Sequence, residues 1–210
     1  MKTGIFGGTF NPVHCGHVRL ARHYMEGARL DRLLVIPTRT PPHKKAVDLV
    51  NGAQRMEMCR LAFEQLPGCQ VSGLEMERPE KSYTVDTLEA LHMQYPEDSL
   101  CLLMGSDMFL TMTHWKDWQR IFQLASLCVG ARETDLDGRL EAEKIRLEQL
   151  GASCEVIPLE PMALSSTEIR RRIEAGQSVS GFVPEKVEAY ILKYGLYQKK
   201  SSDLTAKGSR

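Results

Sequence analysis

Hydrophobic positions along this chain form short continuous runs that alternate with longer stretches in which apolar residues recur at helical spacing. Runs such as LLVI and LCLLM are typical of strands buried on both faces, and the helical spacing predicts helices between them. The predicted strands are Thr3–Phe6, Arg32–Ile36, Gln70–Leu74, Leu100–Met104, Leu127–Ala131 and Glu155–Pro158. The predicted helices are Gly16–Glu26, Gly52–Leu66, Val85–Gln94, Asp117–Leu124, Gly138–Leu150, Ser166–Ala175 and Pro184–Tyr194.

This alternation favours a parallel sheet, because two parallel strands need a crossover connection and a helix supplies it. The predicted fold class is α/β, a doubly wound parallel sheet with helices on both faces and a small C-terminal helical subregion. In such sheets ligands bind beyond the carboxyl ends of the strands, where the strand order reverses. The length of 210 residues fits one domain, expected over residues 1–197, and the polar segment 198–210 is expected to be a disordered tail.

Charge and cysteine usage narrow the expected partners. Lys plus Arg and Asp plus Glu number 27 each, so no overall field attracts nucleic acid or an anionic membrane, and any anion site must be local. The 6 cysteines are scattered, form no C-x-x-C and mostly lie in apolar runs, which predicts reduced core residues. We expect a cytoplasmic protein without a signal peptide or membrane span, whose partners are small molecules. Homo-oligomerisation stays open.

The stretch GGTFNPVHCGH, which follows the first predicted strand, carries candidate chemistry. Gly7 and Gly8 allow the backbone to turn sharply and to approach a ligand closely. His14 and His17 come next, near a helix N-terminus, where unpaired amides and the helix dipole favour an anion. A plain tight turn, separate core histidines and, with less support, a metal site are the alternative interpretations. Taken together, the residues predict a phosphate site.

The segment LSSTEIRRRI, residues 164–173, predicts a second anion site at a helix start. Ser165 and Glu168 have the spacing of a capping box, which alone would explain the segment as a well-started helix. Arg170 follows Ser166 by four positions, so a guanidinium and a hydroxyl share one helix face beside free amides. The two interpretations are compatible, because a cap leaves other amides free for a phosphate.

Both segments resemble known motifs. GGTFNPVHCGH resembles the G-T-F-[ND]-P-x-H-x-G-H signature of the nucleotidylyltransferase superfamily, and SSTEIR resembles its S-S-T-x-I-R motif. From Lys2 to about Tyr197 the chain is similar to the bacterial nicotinate-nucleotide adenylyltransferases. The resemblance implies a Rossmann-like fold and direct transfer of adenylyl from ATP to nicotinate mononucleotide, without a covalent intermediate. The products would be deamido-NAD and pyrophosphate, Mg²⁺ would be carried with ATP, and no tightly bound cofactor is implied.

The resemblance also implies residue roles. The implied catalytic residues are His14, His17, Lys44 and Arg170. The residues implied to bind ATP are Gly7, Gly8, Thr9, Phe10, Gly105, Asp107, Ser165, Ser166, Thr167 and Ile169. Thr84 and Trp115 are implied to bind the pyridine nucleotide, and Trp118 is assigned to the core. From the residues alone, Asp107 and Thr84 could equally be helix N-caps, and two tryptophans three positions apart are more often core.

Three rival functions stay open at this point. An adenylyltransferase for nicotinamide mononucleotide would differ only in the pyridine pocket. A phosphopantetheine adenylyltransferase would share both phosphate motifs, but that family is shorter and lacks the H-W-x-x-W region found here. A nucleotide-binding sensor without turnover should have lost some of the motif residues, and none is missing from this sequence.

Overall fold

The computed structural model of the chain describes residues 1–39, 49–78, 81–131, 138–159 and 164–199. The strands in these ranges are β1 (Lys2–Gly8), β2 (Arg32–Pro37), β3 (Cys69–Val71), β4 (Ser99–Gly105), β5 (Ala125–Ala131) and β6 (Cys154–Pro158). The helices are α1 (Cys15–Gly27), α2 (Gly52–Phe63), α3 (Thr84–Gln94), α4 (Ser106–Phe109), α5 (Trp118–Leu124), α6 (Arg139–Gln149), α7 (Ser166–Glu174) and α8 (Glu185–Lys193). None of these helices is long and apolar enough to cross a bilayer. Lys44 and residues 200–210 of the expected tail lie outside the described ranges.

The six strands form one parallel sheet in the order β3-β2-β1-β4-β5-β6. This order confirms the doubly wound α/β prediction, because successive strands are added outward on both sides of β1. The order reverses between β1 and β4, which pair directly through Ile5 and Leu102. The carboxyl ends of these two strands are therefore neighbours at the switch point, which is where the sequence predicts ligand binding.

Successive strand residues point to opposite faces of the sheet and contribute to two apolar layers, one on each face. Ile5 of β1 belongs to the layer covered by α3, α5 and α6, whereas Phe6 belongs to the layer covered by α1, α2, α7 and α8. Burial on both faces explains why the strands are continuous apolar runs rather than alternating ones. Val187 and Ile191 of α8 lie in the same layer as Tyr24 of α1, so the C-terminal helices extend the main core.

The predicted elements are all present in the described ranges, with shifted ends. β3 stops at Val71 instead of Leu74, and α2 stops at Phe63 instead of Leu66. The sequence pattern did not predict α4 or the single 3₁₀ turn Met112–His114, both of which follow β4. Segments of three or four residues are too short for hydrophobic periodicity to mark them.

The prediction that the cysteines are reduced is wrong for two of them. Cys101 of β4 and Cys128 of β5 are joined by a disulfide, and their Cα atoms are 6.2 Å apart. Adjacent parallel strands bring the two side chains within bridging distance, and this adjacency is a tertiary feature that no local spacing reveals. Cys15, Cys59, Cys69 and Cys154 are free thiols.

Candidate active site

The glycine loop at the end of β1 is built around a buried aromatic ring. Phe10 has a positive φ of 46° and is 2% exposed, and its ring packs edge-on against Phe6 with centroids 5.6 Å apart. A Cβ at Gly8 would lie 2.8 Å from the Phe10 ring, whereas a Cβ at Gly7 would meet nothing within 4 Å. Gly8 is thus required for packing, and Gly7 leaves open space beside the strand end.

His14 and His17 cap the start of α1 reciprocally. His14 is the N-cap residue, and its Nδ1 accepts a hydrogen bond from the His17 amide at 3.3 Å. The His14 amide in turn donates to His17 Nδ1 at 3.2 Å, and the ring centroids are 3.7 Å apart. The pair performs the function that Ser or Thr and Glu or Gln perform in a capping box. The sequence pattern did not indicate this role.

The capping bonds determine the tautomer of both rings. Since each Nδ1 is an acceptor, the proton of each neutral imidazole resides on Nε2. Burial lowers the pKa of His14 to about 4 and that of His17 to about 3, and the charge of His14 lowers the latter further. Both rings are therefore neutral at pH 7, and they offer an anion two Nε2–H donors rather than two positive charges.

At the start of α7, only one of the two hydrogen bonds of the predicted capping box is formed. The Ser165 hydroxyl accepts a hydrogen bond from the Glu168 amide at 3.2 Å. The reciprocal half of the expected capping box is not formed, because the Glu168 carboxylate pairs with Arg171 at 2.9 Å and with Arg172 at 3.2 Å. Arg171 and Arg172 thus hold the Glu168 carboxylate away from the cap position.

Two side chains of α7 bind the loop that precedes α1. The Ser166 hydroxyl donates to the Pro12 carbonyl at 2.8 Å, and Arg170 Nη1 donates to the Asn11 carbonyl at 2.8 Å. These residues share one helix face, as their spacing predicts. The early and late helix starts are therefore adjacent, with the Arg170 guanidinium bonded to the main chain three residues before His14.

Ile169 occupies the neighbouring face of α7 and is 0% exposed. Its side chain belongs to the same apolar layer as Phe10. Its main-chain amide donates to the Ser165 carbonyl at 3.1 Å within the first turn of α7. Thr167, by contrast, is exposed at the first turn of α7, where it accepts a 3.4 Å hydrogen bond from Arg170.

The carboxyl end of β4 forms the other side of the switch point. Gly105 is exposed, and a Cβ there would meet nothing within 4 Å. Gly105 is also the N-cap residue of α4, so the alternative that Asp107 is the N-cap is wrong. Asp107 instead lies in the first turn of α4 and is exposed beside the open space at Gly105.

The residues expected to bind the pyridine nucleotide lie on two segments that contact each other. Thr84 is the first residue of α3, and Tyr83, not Thr84, is the N-cap residue. Lys116 stands 4.7 Å from the centroid of the Tyr83 ring and 3.3 Å from the Asp86 carboxylate. Because Lys116 follows Trp115 directly, these contacts bring the Trp115 segment against the start of α3.

The two tryptophans have similar environments. Trp115 and Trp118 are both partly buried and pack against the same apolar layer, and the Trp118 ring lies 5.1 Å from that of Phe122. Both indoles thus contribute to the core, as the assignment of Trp118 anticipated. Part of the Trp115 surface stays accessible for a ligand.

The described part of the chain holds no group of three or more His, Cys, Asp or Glu side chains placed to bind a metal ion. At the histidine pair, both Nδ1 atoms are engaged by backbone amides. Two Nε2 atoms alone fall short of the three or four ligands that zinc takes in proteins. The donor set of this site fits an anion better than a metal.

Comparisons with known proteins agree with this geometry. A family model described as cytidylyltransferase-like matches residues 5–172. A Syntrophotalea carbinolica protein named "Probable nicotinate-nucleotide adenylyltransferase" is 38% identical over 213 residues, which cover 94% of this chain and 98% of the relative. A Thermus thermophilus protein with the same name is 40% identical over 200 residues, covering 94% of this chain and 100% of the relative.

A solved structure supports the fold. The Plasmodium falciparum nicotinic acid mononucleotide adenylyltransferase complexed with NaAD superposes with a TM-score of 0.76 at 18% identity. The match covers 94% of this chain and 98% of that one. At this identity the likeness shows a shared fold.

Proposed function

Because the chain belongs to the cytidylyltransferase-like family, we propose that it is a nicotinate-nucleotide adenylyltransferase of NAD biosynthesis. Relatives that match almost its whole length carry that name. The structural observation that supports the proposal best is the contact of Ser166 and Arg170 with the Asn11–Pro12 loop beside His14. One polyphosphate could then contact both helix starts at the switch point.

In the proposed reaction, an oxygen of the nicotinate mononucleotide 5′-phosphate attacks the α-phosphorus of ATP. A new P–O bond forms there while the bond to the β-phosphate oxygen breaks, and pyrophosphate leaves with that electron pair. The attacking phosphate has a second pKa of about 6, so it is largely dianionic at neutral pH and needs no general base. The barrier comes from repulsion between anions and from charge on the leaving group.

The histidine pair would lower this barrier as hydrogen-bond donors. In the ligand-free protein the pKa values of about 4 and 3 make His14 and His17 neutral imidazoles at pH 7, so they are assigned as hydrogen-bond donors rather than as acids. Their Nε2–H groups are held in place by the capping bonds, so no reorganisation is needed when charge develops on the phosphate oxygens. Fixed donors of this kind make the largest contribution to many transfer reactions.

Positive charge would come from the other end of the site. Arg170 has five N–H donors; its bonds to the Asn11 carbonyl at 2.8 Å and to the Thr167 hydroxyl at 3.4 Å use two of them, which leaves the others for the β- and γ-phosphates. The exposed first turn of α7 adds backbone amides near Ser165 and Thr167. Mg²⁺ would arrive with the ATP phosphates as part of the substrate. Lys44, implied by the resemblance, remains a proposed phosphate ligand.

The nicotinate carboxylate would lie near the start of α3. The positive end of the helix dipole at Thr84 favours a carboxylate over a neutral carboxamide, and α3 is long enough, at 11 residues, to provide it. Trp115, on the segment tied to α3 by Lys116, would cover the pyridine ring. This arrangement favours nicotinate mononucleotide over nicotinamide mononucleotide.

Pyrophosphate release tests the proposal. The protein is incubated with ATP and Mg²⁺ plus nicotinate mononucleotide, nicotinamide mononucleotide or phosphopantetheine in separate reactions. We expect the fastest release with nicotinate mononucleotide. Faster pyrophosphate release with nicotinamide mononucleotide or phosphopantetheine would show that this acceptor, and not nicotinate mononucleotide, is the substrate. Binding of ATP without pyrophosphate release in any of the three reactions would indicate a nucleotide sensor instead of an enzyme.

A further inference from the structure

Arg55 is a charged residue on the buried face of α2. It is 1% exposed, and its neighbours on that helix, Met56, Met58 and Cys59, are also buried. In the described part of the chain, every hydrogen bond that the guanidinium donates goes to a main-chain carbonyl. Nε donates to Val50 O at 3.0 Å, Nη1 to Thr9 O at 2.8 Å and to Thr38 O at 2.6 Å, and Nη2 to Arg39 O at 3.2 Å.

The four carbonyls belong to three separate segments of chain. Thr9 lies in the glycine loop, Thr38 and Arg39 directly follow β2, and Val50 lies just before Asn51, the N-cap residue of α2. A planar guanidinium presents its donors in a fixed fork, so it can bind several carbonyls at set angles, which an ammonium cannot do. Arg55 thereby fixes these three segments relative to one another.

Asn11 continues this network to the other helix start. Its side-chain oxygen accepts hydrogen bonds from the Val50 amide at 3.2 Å and from the Tyr197 hydroxyl at 2.8 Å. Its main-chain carbonyl accepts the bond from Arg170. The loop between β1 and α1 is therefore held at Thr9 by Arg55 and at Asn11 by Arg170.

We propose that Arg55 is a positioning residue for adenylyl transfer: it holds Thr9 against the end of β2 and so places the loop that leads to His14. This inference rests on the proposed function for its kinetic readout. Arg55 itself is buried and would act on the reaction through the main chain of this loop, which it contacts at the Thr9 carbonyl. Misplacing reactive groups by about 1 Å can cost about a hundredfold in rate, so loosening this loop should lower kcat.

The kinetic test uses Arg55→Met and Arg55→Lys in the full chain, with Arg60→Met as the matched control. Arg60 lies on the same helix but is exposed and pairs with Glu57 at 3.3 Å. We expect Arg55→Met to lower kcat per folded molecule about 10- to 100-fold, with partial recovery when millimolar guanidinium is added. Arg55→Lys should lower kcat less, and Arg60→Met should leave it unchanged. Unchanged kcat in both Arg55 variants, with only the melting temperature lowered, would overturn the proposal.

Hydrogen exchange supplies a readout that does not depend on turnover. We expect faster exchange at the amides within residues 7–14, all of which except Pro12 carry an N–H, in Arg55→Lys than in the wild type, while exchange in β5 and α5 stays the same. Equal exchange at amides 7–14, or failure of both Arg55 variants to fold, would assign a purely structural role and overturn the proposal. If the wild type releases no pyrophosphate, the proposed function fails, and exchange still decides whether Arg55 positions the loop.

Discussion

Replacing His14 separates its capping role from its proposed role in the reaction. His14→Ala removes the acceptor of the His17 amide, and loss of an N-cap acceptor costs about 1 kcal/mol of unfolding free energy. For a chain of this size that corresponds to a melting temperature lower by about 2–4 °C. His14→Ala also removes the Nε2–H donor, and loss of one such donor lowers kcat about a hundredfold, or about 2.7 kcal/mol of transition-state stabilisation.

His14→Asn distinguishes these two effects. Asn is among the best N-cap residues, so its side-chain oxygen should restore the cap and the unfolding free energy to within a few tenths of a kcal/mol, roughly. It cannot place an Nε2–H group where the imidazole does, so kcat should stay about a hundredfold low. His92→Asn, an exposed position near the end of α3, is the matched control and should change neither quantity.

The assay combines urea unfolding with initial rates of pyrophosphate release at saturating ATP and nicotinate mononucleotide. If His14→Asn turned over within about threefold of the wild type, His14 would be a cap alone, since an effect of that size is far below the loss of a phosphate donor. If His14→Asn were as unstable as His14→Ala, the reciprocal cap would be refuted.

Three further predictions follow from the same contacts. Between pH 6.5 and their folded-state pKa values of about 4 and 3, the two capping histidines bind more protons in the unfolded chain than in the folded one. The free energy of unfolding should therefore fall as the pH drops below about 6.5, and it should fall less steeply in His14→Asn. Urea midpoints at about pH 7.5 and about pH 5 measure this change. Gly7→Ala should raise the KM for ATP and leave the free energy of unfolding within about 0.5 kcal/mol of the wild type, whereas Gly8→Ala should lower the melting temperature by forcing the Phe10 ring to move. A lower melting temperature in Gly7→Ala together with an unchanged one in Gly8→Ala would contradict this. Tyr197→Phe should cost about 1 kcal/mol of unfolding free energy by removing the bond to Asn11, and equal losses in Tyr197→Phe and the exposed Tyr194→Phe would exclude that cause.

The fold could be predicted from the sequence because its signals are local. Continuous apolar runs mark strands buried on both faces, and the helices predicted between them supply the crossovers that parallel strands need. The position of the site followed from the same reasoning, because Gly8 and Gly105 end the two strands that flank the reversal of strand order.

The remaining features depend on contacts between distant parts of the chain. The disulfide between Cys101 and Cys128 needs the pairing of β4 with β5. The sequence marks His14 and His17 as a pair but not their reciprocal Nδ1 bonds, which depend on ring orientation. Arg55 could have been noticed as a charged residue at an apolar position of α2, yet its carbonyl partners come from three separate segments.

The central claim is that the two helix starts bind one triphosphate, and a crystal structure with a non-hydrolysable ATP analogue tests it most directly. We predict phosphate oxygens within hydrogen-bond distance, about 3 Å, of His17 Nε2 and of the Arg170 guanidinium in the same molecule. Phosphates bound at only one of these groups, or elsewhere on the surface, would contradict the account.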